Sequence, residues 1–142
     1  MKIILVGTGR AGMSLAMSFG AAGHHIVGVV GRTEDSAQRG AELVDGEAFT
    51  LDQDLPGADL LVIATRDDVI HPVAGALAAR SPEVDGSVHV SGLKPVAALD
   101  PLRATGIAVG SFHPLQTLPT PEAGAGRLRG AHVAITAESP LR

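Results

Sequence analysis

Lys2-Ile3-Ile4-Leu5-Val6-Gly7-Thr8-Gly9-Arg10-Ala11-Gly12 is the stretch whose reading decides the fold. Lys2 to Val6 is an apolar run with no polar alternation, which predicts a strand buried on both faces of a parallel sheet. A glycine turn follows at once. From Met13 to Ala22 the spacing is helical: Leu15 and Phe19 sit four apart, and Gly12, Ala16 and Gly20 form a second stripe of small residues that lets a helix lie close on a sheet. Gly23 is a natural stop for that helix. With a second apolar run at Ile26 to Val30, the chain reads strand, glycine turn, helix, strand, in the ~30 residues that a βαβ unit needs.

The same alternation continues. Thr33 is placed to cap a polar helix from Glu34 to Leu43, and a short strand at Ala48 to Leu51 precedes a loop from Asp52 to Gly57. Leu60 to Ala64 is a second fully apolar strand, followed by a helix with Val69, Ile70, Val73 and Leu77 on its apolar face and Pro72 near its first turn. Strands are expected at Ser87 to Val90, Ile107 to Ser111 and Ala131 to Thr136, with a short helix near Asp100 to Thr105 and an irregular excursion from Leu115 to Arg129. Strands alternating with helices predict a doubly wound, mostly parallel α/β sheet in three layers.

Composition agrees and excludes other classes. The 142 residues suit one domain, 1–142. With 11 Lys+Arg against 15 Asp+Glu, a net charge of −4 and no basic run, neither nucleic acid nor an anionic membrane is an expected partner. No cysteine is present, so disulfides, thiolate chemistry and zinc knuckles are excluded. His24, His25, His71 and His132 lack the spacing of a metal site, and no metal is expected. Arg10 breaks the first apolar run too early for a secretory signal, and no stretch reaches the ~18 apolar residues of a membrane span, so a cytoplasmic protein is expected.

In such a sheet the ligand lies outside the carboxyl ends of the strands, which aligns Gly7, Arg32, Thr65, Ser91 and His113 along one edge. Gly7-x-Gly9-x-x-Gly12 directly follows a buried strand and opens a helix, the context in which the motif binds a dinucleotide pyrophosphate. Thr8, Arg10 and Ala11 belong to the same turn. At the end of the second strand, 20 residues after Gly12, stands Arg32 where a carboxylate would select NAD. A guanidinium pairs bidentately with the extra phosphate of NADP, so NADP is the expected cofactor, with NAD as the alternative. Arg32 and Thr33 would hold that phosphate, Thr65 and Ser91 would flank the nicotinamide ribose, and Ala64 is a further expected cofactor-binding residue. The other reading of Arg32 is a solvated arginine beside a helix cap. His113 precedes Pro114, which holds it extended, and imidazole suits proton exchange near neutral pH. Ser91 could orient it or bind a substrate oxygen. The alternative role of His113 is to cap a loop by hydrogen bonding.

Several segments together carry a resemblance: Gly7 to Gly12, Ala58-Asp59-Leu60-Leu61-Val62-Ile63-Ala64-Thr65, Asp67-Asp68-Val69-Ile70, His89-Val90-Ser91-Gly92, Pro101-Leu102-Arg103 and Ser111-Phe112-His113-Pro114-Leu115-Gln116-Thr117. The chain resembles the Rossmann-like oxidoreductases that carry a C-terminal helical domain of unknown function. These are similar to pyrroline-carboxylate reductases, deazaflavin-linked NADP reductases and prephenate dehydrogenases. The resemblance implies a Rossmann domain that binds NADP and a small-molecule substrate pocket completed by a helical domain beyond this chain, with a homodimer in the full-length form. In the prephenate-dehydrogenase-like relatives a histidine followed by proline at the matching strand exit contacts substrate, and that role falls on His113. Arg66 departs from the pattern, because relatives commonly have proline there.

The expected function is therefore the cofactor domain of an oxidoreductase that moves hydride to or from a small carbonyl, imine or alcohol. The alternative is a nucleotide-binding or regulatory module without chemistry of its own.

Overall fold

Ile3, Ile4, Leu5 and Val6 are each at most 2% exposed in the computed structural model of the chain, which describes residues 1–114, 121 and 133–137. They form strand β1 (Lys2–Val6), in the interior of a seven-stranded sheet. The other strands are β2 (His25–Val30), β3 (Glu47–Phe49), β4 (Ala58–Ile63), β5 (Val84–His89), β6 (Ala108–Pro114) and β7 (Val133–Ala137). Their spatial order is β3-β2-β1-β4-β5-β6-β7. All neighbours run parallel except β6 and β7, so one antiparallel strand closes an otherwise doubly wound sheet.

The missing polar alternation in β1 now has its physical reason. Ile3 and Leu5 pack on one face with Met13 and Ala16 of α1 (Arg10–Ala21) and Ala41 of α2 (Glu34–Val44). Ile4 and Val6 pack on the other with Ile70, Ala74 and Leu77 of α3 (Ile70–Ala79) and Leu102 of α4 (Asp100–Arg103). Both faces are covered, so every β1 side chain after Lys2 is apolar.

Helix ends follow their sequence signals. Gly23, at φ +93°, closes α1: its N–H donates to the Gly20 carbonyl and the His24 N–H to that of Phe19, the paired bonds of a Schellman stop. Thr33 caps α2, its side chain accepting from the Ser36 N–H while the Ser36 hydroxyl accepts from the Thr33 N–H.

Some expected bounds shift. Helix α1 begins at Arg10, inside the glycine motif, because Gly9 is its N-cap. The expected close-packing stripe holds at Gly12 and Ala16 but not at Gly20, which is exposed with no atom near its Cβ position. Strand β3 begins one residue early, at Glu47, and ends at Phe49. Strands β4 and β5 also begin early, at Ala58 and Val84. A turn of 3-10 helix at Val96–Leu99 leads into α4, which is shorter than expected. Strand β6 runs on to Pro114, since β7 pairs Phe112, His113 and Pro114 beyond the last β5 partner, Ser111. The excursion expected from Leu115 to Arg129 falls almost wholly outside the described residues, as does His132.

Gly7 decides how closely the strand ends approach. Its φ is +109°, and a Cβ there would lie 2.5 Å from the Ala64 carbonyl oxygen. Gly7→Ala should cost at least about 2 kcal/mol through strained backbone and a backbone clash together. Gly20→Ala, in open space on the same helix, should instead gain roughly 0.5–1 kcal/mol. Urea unfolding of both variants checks the contrast, and equal effects would contradict it.

Candidate functional site

The βα connections after β1 and β4 leave the sheet on opposite faces, and between them opens the crevice where this topology binds ligands. A cleft of about 1160 Å³ occupies it. Its floor is the turn after β1, with Gly7, Thr8, Gly9, Arg10 and Ala11; Arg32 stands on the β2 side, and Ala64, Thr65 and His113 on the other. Leu51, Val69 and Val73 add an apolar wall that the sequence reading did not assign to the site. They come from segments far apart in sequence, and only the crossovers bring them together.

The glycines divide their work. Gly12 is buried and does not line the cleft; a Cβ on it would meet the Gly7 carbonyl oxygen at 2.6 Å, so it serves helix packing. Gly9 has ordinary extended backbone, φ −74°, and nothing within 4 Å of its Cβ position. Neither strain nor packing requires glycine there. Gly9 also gives α1 no side-chain cap, and the first turn of α1 holds no acidic residue, unlike α2, which has its capping box with Glu34 and Asp35. The free N–H groups and partial positive charge of the α1 terminus thus face the cleft.

Arg32 is exposed, with no ion-pair partner among the described residues, while Asp35 is tied to Arg39 at 3.0 Å. Thr33 is engaged in the α2 cap and does not line the cleft. Gly31, not assigned to the site from the sequence, seats α2 beside Arg32: a Cβ on it would lie 2.5 Å from the Ala37 nitrogen.

On the opposite side, two histidines do different work. His89, fully buried at the end of β5, accepts the Ser91 N–H at Nδ1 (3.1 Å) and faces the Pro95 carbonyl with Nε2 (3.0 Å), to which it donates. Both nitrogens are spent on bracing the 91–95 loop. The Ser91 hydroxyl accepts the N–H groups of Leu93 and Lys94, each at 3.1 Å, and Ser91 is not among the cleft-lining residues. Its placement is that of a loop cap, not of a partner for His113. His113 lines the cleft, and its Nδ1 is 3.0 Å from the Val90 carbonyl. A carbonyl only accepts, so Nδ1 is the donating nitrogen, and in the neutral ring Nε2 is the acceptor.

Arg66 stands at the mouth, where its guanidinium grips Asp68 through Nε–Oδ1 at 3.2 Å and Nη2–Oδ2 at 2.7 Å. Among the described residues no cluster of three or more His, Asp or Glu could hold a metal, and no helix is long and apolar enough to cross a membrane.

Residues 1–114 match the Rossmann-like domain family. The chain belongs to that family. No curated protein matches the sequence. Among solved structures, the chain is similar to a Bacteroides fragilis protein described as an NADP oxidoreductase, with 26% identity and a TM-score of 0.79 over 99% of this chain and 52% of that one. It also shares its fold with Synechocystis arogenate dehydrogenase (23% identity, TM-score 0.72, 98% of this chain and 51% of that one). The prephenate dehydrogenase of A. aeolicus, solved with hydroxyphenyl propionate and NAD+, has 16% identity and a TM-score of 0.72 over 98% of this chain and 51% of its own. The chain thus spans about half the length of these structures, and its Rossmann-like domain is of the kind that oxidoreductases and dehydrogenases carry.

The Arg66 pair gives a pH signature. The hydrogen bonds and charge of Arg66 hold the Asp68 carboxyl below the usual aspartate value. A lowered folded-state value means that the pair's contribution is present above the ordinary value and lost as pH falls through the lowered one. With both side chains mostly exposed, thermal stability should hardly change in Arg66→Gln. The carboxyl ¹³C titration of Asp68 should move up toward the ordinary range in that variant; an unmoved midpoint would refute the pairing.

Proposed function

We propose that the chain is the NADP(H)-binding domain of an oxidoreductase that moves hydride to or from a small carbonyl, imine or alcohol. The observation that carries this reading is Gly9: the fold has no need of glycine there, whereas a pyrophosphate resting on the uncapped α1 terminus does. The residues present fit such a group. Gly9 leaves room for it, the N–H groups of the first α1 turn are free to bind its anion, and Arg10 adds a cation beside them. Arg32, exposed and not engaged by Asp35, supports NADP over NAD by offering a bidentate partner for the 2′-phosphate. Leu51, Val69 and Val73 offer apolar contact inside the same cleft.

When bound, the nicotinamide supplies or accepts the hydride. His113 handles the proton. With Nδ1–H fixed on the Val90 carbonyl, Nε2 takes a proton from a substrate hydroxyl during oxidation and returns it during reduction. The Nδ1 bond is compatible with both states, so the ring need not turn between them. In this reading a cytoplasmic, full-length protein completes the pocket for its small-molecule substrate with a further domain and a second copy of itself, in keeping with relatives about twice as long.

Titration with NADPH tests the cofactor assignment. With no Trp or Tyr in the chain, the signal to follow is the enhancement and blue shift of NADPH fluorescence. Gly9→Val should abolish binding without unfolding the chain. Arg32→Ala should weaken NADPH by about tenfold or more, the loss of a charge-assisted bond of ~1.5 kcal/mol, and leave NADH almost unchanged. Preference of the unmodified chain for NADH would remove the NADP assignment.

His113→Asn separates chemistry from binding. NADPH affinity should persist, while turnover of any carbonyl, imine or alcohol substrate by the full-length protein should fall by about 10²- to 10⁴-fold. Parallel losses of affinity, turnover and thermal stability would make His113 structural.

A further inference from the structure

His113 sits on a strand extension that reaches beyond β5, and its ring folds back over the exit of that strand. One hydrogen bond to the Val90 carbonyl fixes Nδ1 but leaves the ring free to swing about that bond. The second restraint is Gly92. A Cβ built there would fall 2.7 Å from Nε2, 2.8 Å from Cδ2 and 3.0 Å from Cε1 of His113. The imidazole occupies the volume of the missing side chain.

Gly92 is itself held. Its neighbour Ser91 donates its N–H to His89 and accepts two backbone N–H groups at its hydroxyl, and His89 also binds the Pro95 carbonyl. The loop that carries Gly92 is therefore braced from inside the core on both sides of the glycine. The ring cannot be relieved by letting the loop drift.

We propose that Gly92 is a positioning residue: its bare Cα, carried on the His89-braced loop, is the seat that sets the ring plane of His113 and the direction of the Nε2 lone pair. The role of that lone pair in proton transfer rests on the proposed function above; the seat itself does not. Any side chain at residue 92 pushes the ring off its seat and strains or breaks the Nδ1 bond to Val90.

Ring-nitrogen NMR of the whole chain tests this without any substrate. In the unmodified protein His113 should show a protonated Nδ1 and an unprotonated Nε2, the reverse of His89. Gly92→Ala should abolish the Nδ1–H signature of His113 while the His89 signals and NADPH affinity stay as they were. Retention of the His113 signature in that variant would overturn the proposal. Should Gly92→Ala fail to fold, the unmodified chain decides: strong nuclear Overhauser contacts between the Gly92 α-protons and the His113 ring protons support the seat, and their absence refutes it. Failure of the unmodified chain to bind NADPH would count against the functional reading alone, because the ring-nitrogen signature is read with no nucleotide present.

Discussion

The peptide joining Ala64 to Thr65 lies where a side chain on residue 7 would have to be. That exclusion brings the ends of β1 and β4 together, and much of the site depends on it. Because Gly7 can adopt φ +109°, the chain turns sharply out of β1 and starts α1 within three residues. Because Gly12 has no side chain, α1 then lies against the Gly7 carbonyl and Ala64. The helix terminus is thereby aimed along the crevice between two strands whose connections diverge. A larger residue at position 7 or 12 would lift the helix and blunt the crevice together, so fold and site share one steric condition.

Within that frame the two sides of the cleft are built by different means. The β1 and β2 side relies on backbone, with free N–H groups and bare glycines, and on Arg10 and Arg32, which have no ion-pair partner among the described residues. The β5 and β6 side relies on side chains braced by backbone. His89 and His113 are both near strand ends and both bind carbonyls, but they differ in what remains. His89 uses its two nitrogens to hold a loop, whereas His113, which lines the cleft, binds a carbonyl through Nδ1 alone among the described residues. Division of labour between the two rings follows from hydrogen bonding alone.

The sequence made the architecture legible because buried parallel strands and glycine turns leave local marks. Ile3 to Val6 and Leu61 to Ala64 are apolar without alternation, and Gly7, Gly12 and Gly23 each stand where geometry requires them. Arg32 follows β2 as the pattern implies, whereas His113, expected at a strand exit, lies within β6. Other features depend on contacts across the sheet and leave no local mark. Gly20 had the spacing of a packed glycine yet faces solvent, because spacing tells which residues share a stripe but not where the stripe meets the sheet. Strand β6 outran its pattern because a partner far along the chain extends it. Ser91 has a polar side chain to read, but its hydroxyl caps a loop, while the place of the missing side chain on its neighbour Gly92 is filled by the His113 ring.

The central claim is that a pyridine dinucleotide lies in the crevice between β1 and β4, with its pyrophosphate on the α1 terminus. Mapping backbone amide shifts during titration with NADPH tests this most directly, since it reports where binding occurs as well as whether it occurs. The account predicts the largest shifts at Gly7 through Gly12, with a second group at Gly31 to Thr33. Saturable shifts centred instead on the hollow between β2, α2 and β3, around His25, Asp45 and Glu47, would contradict it.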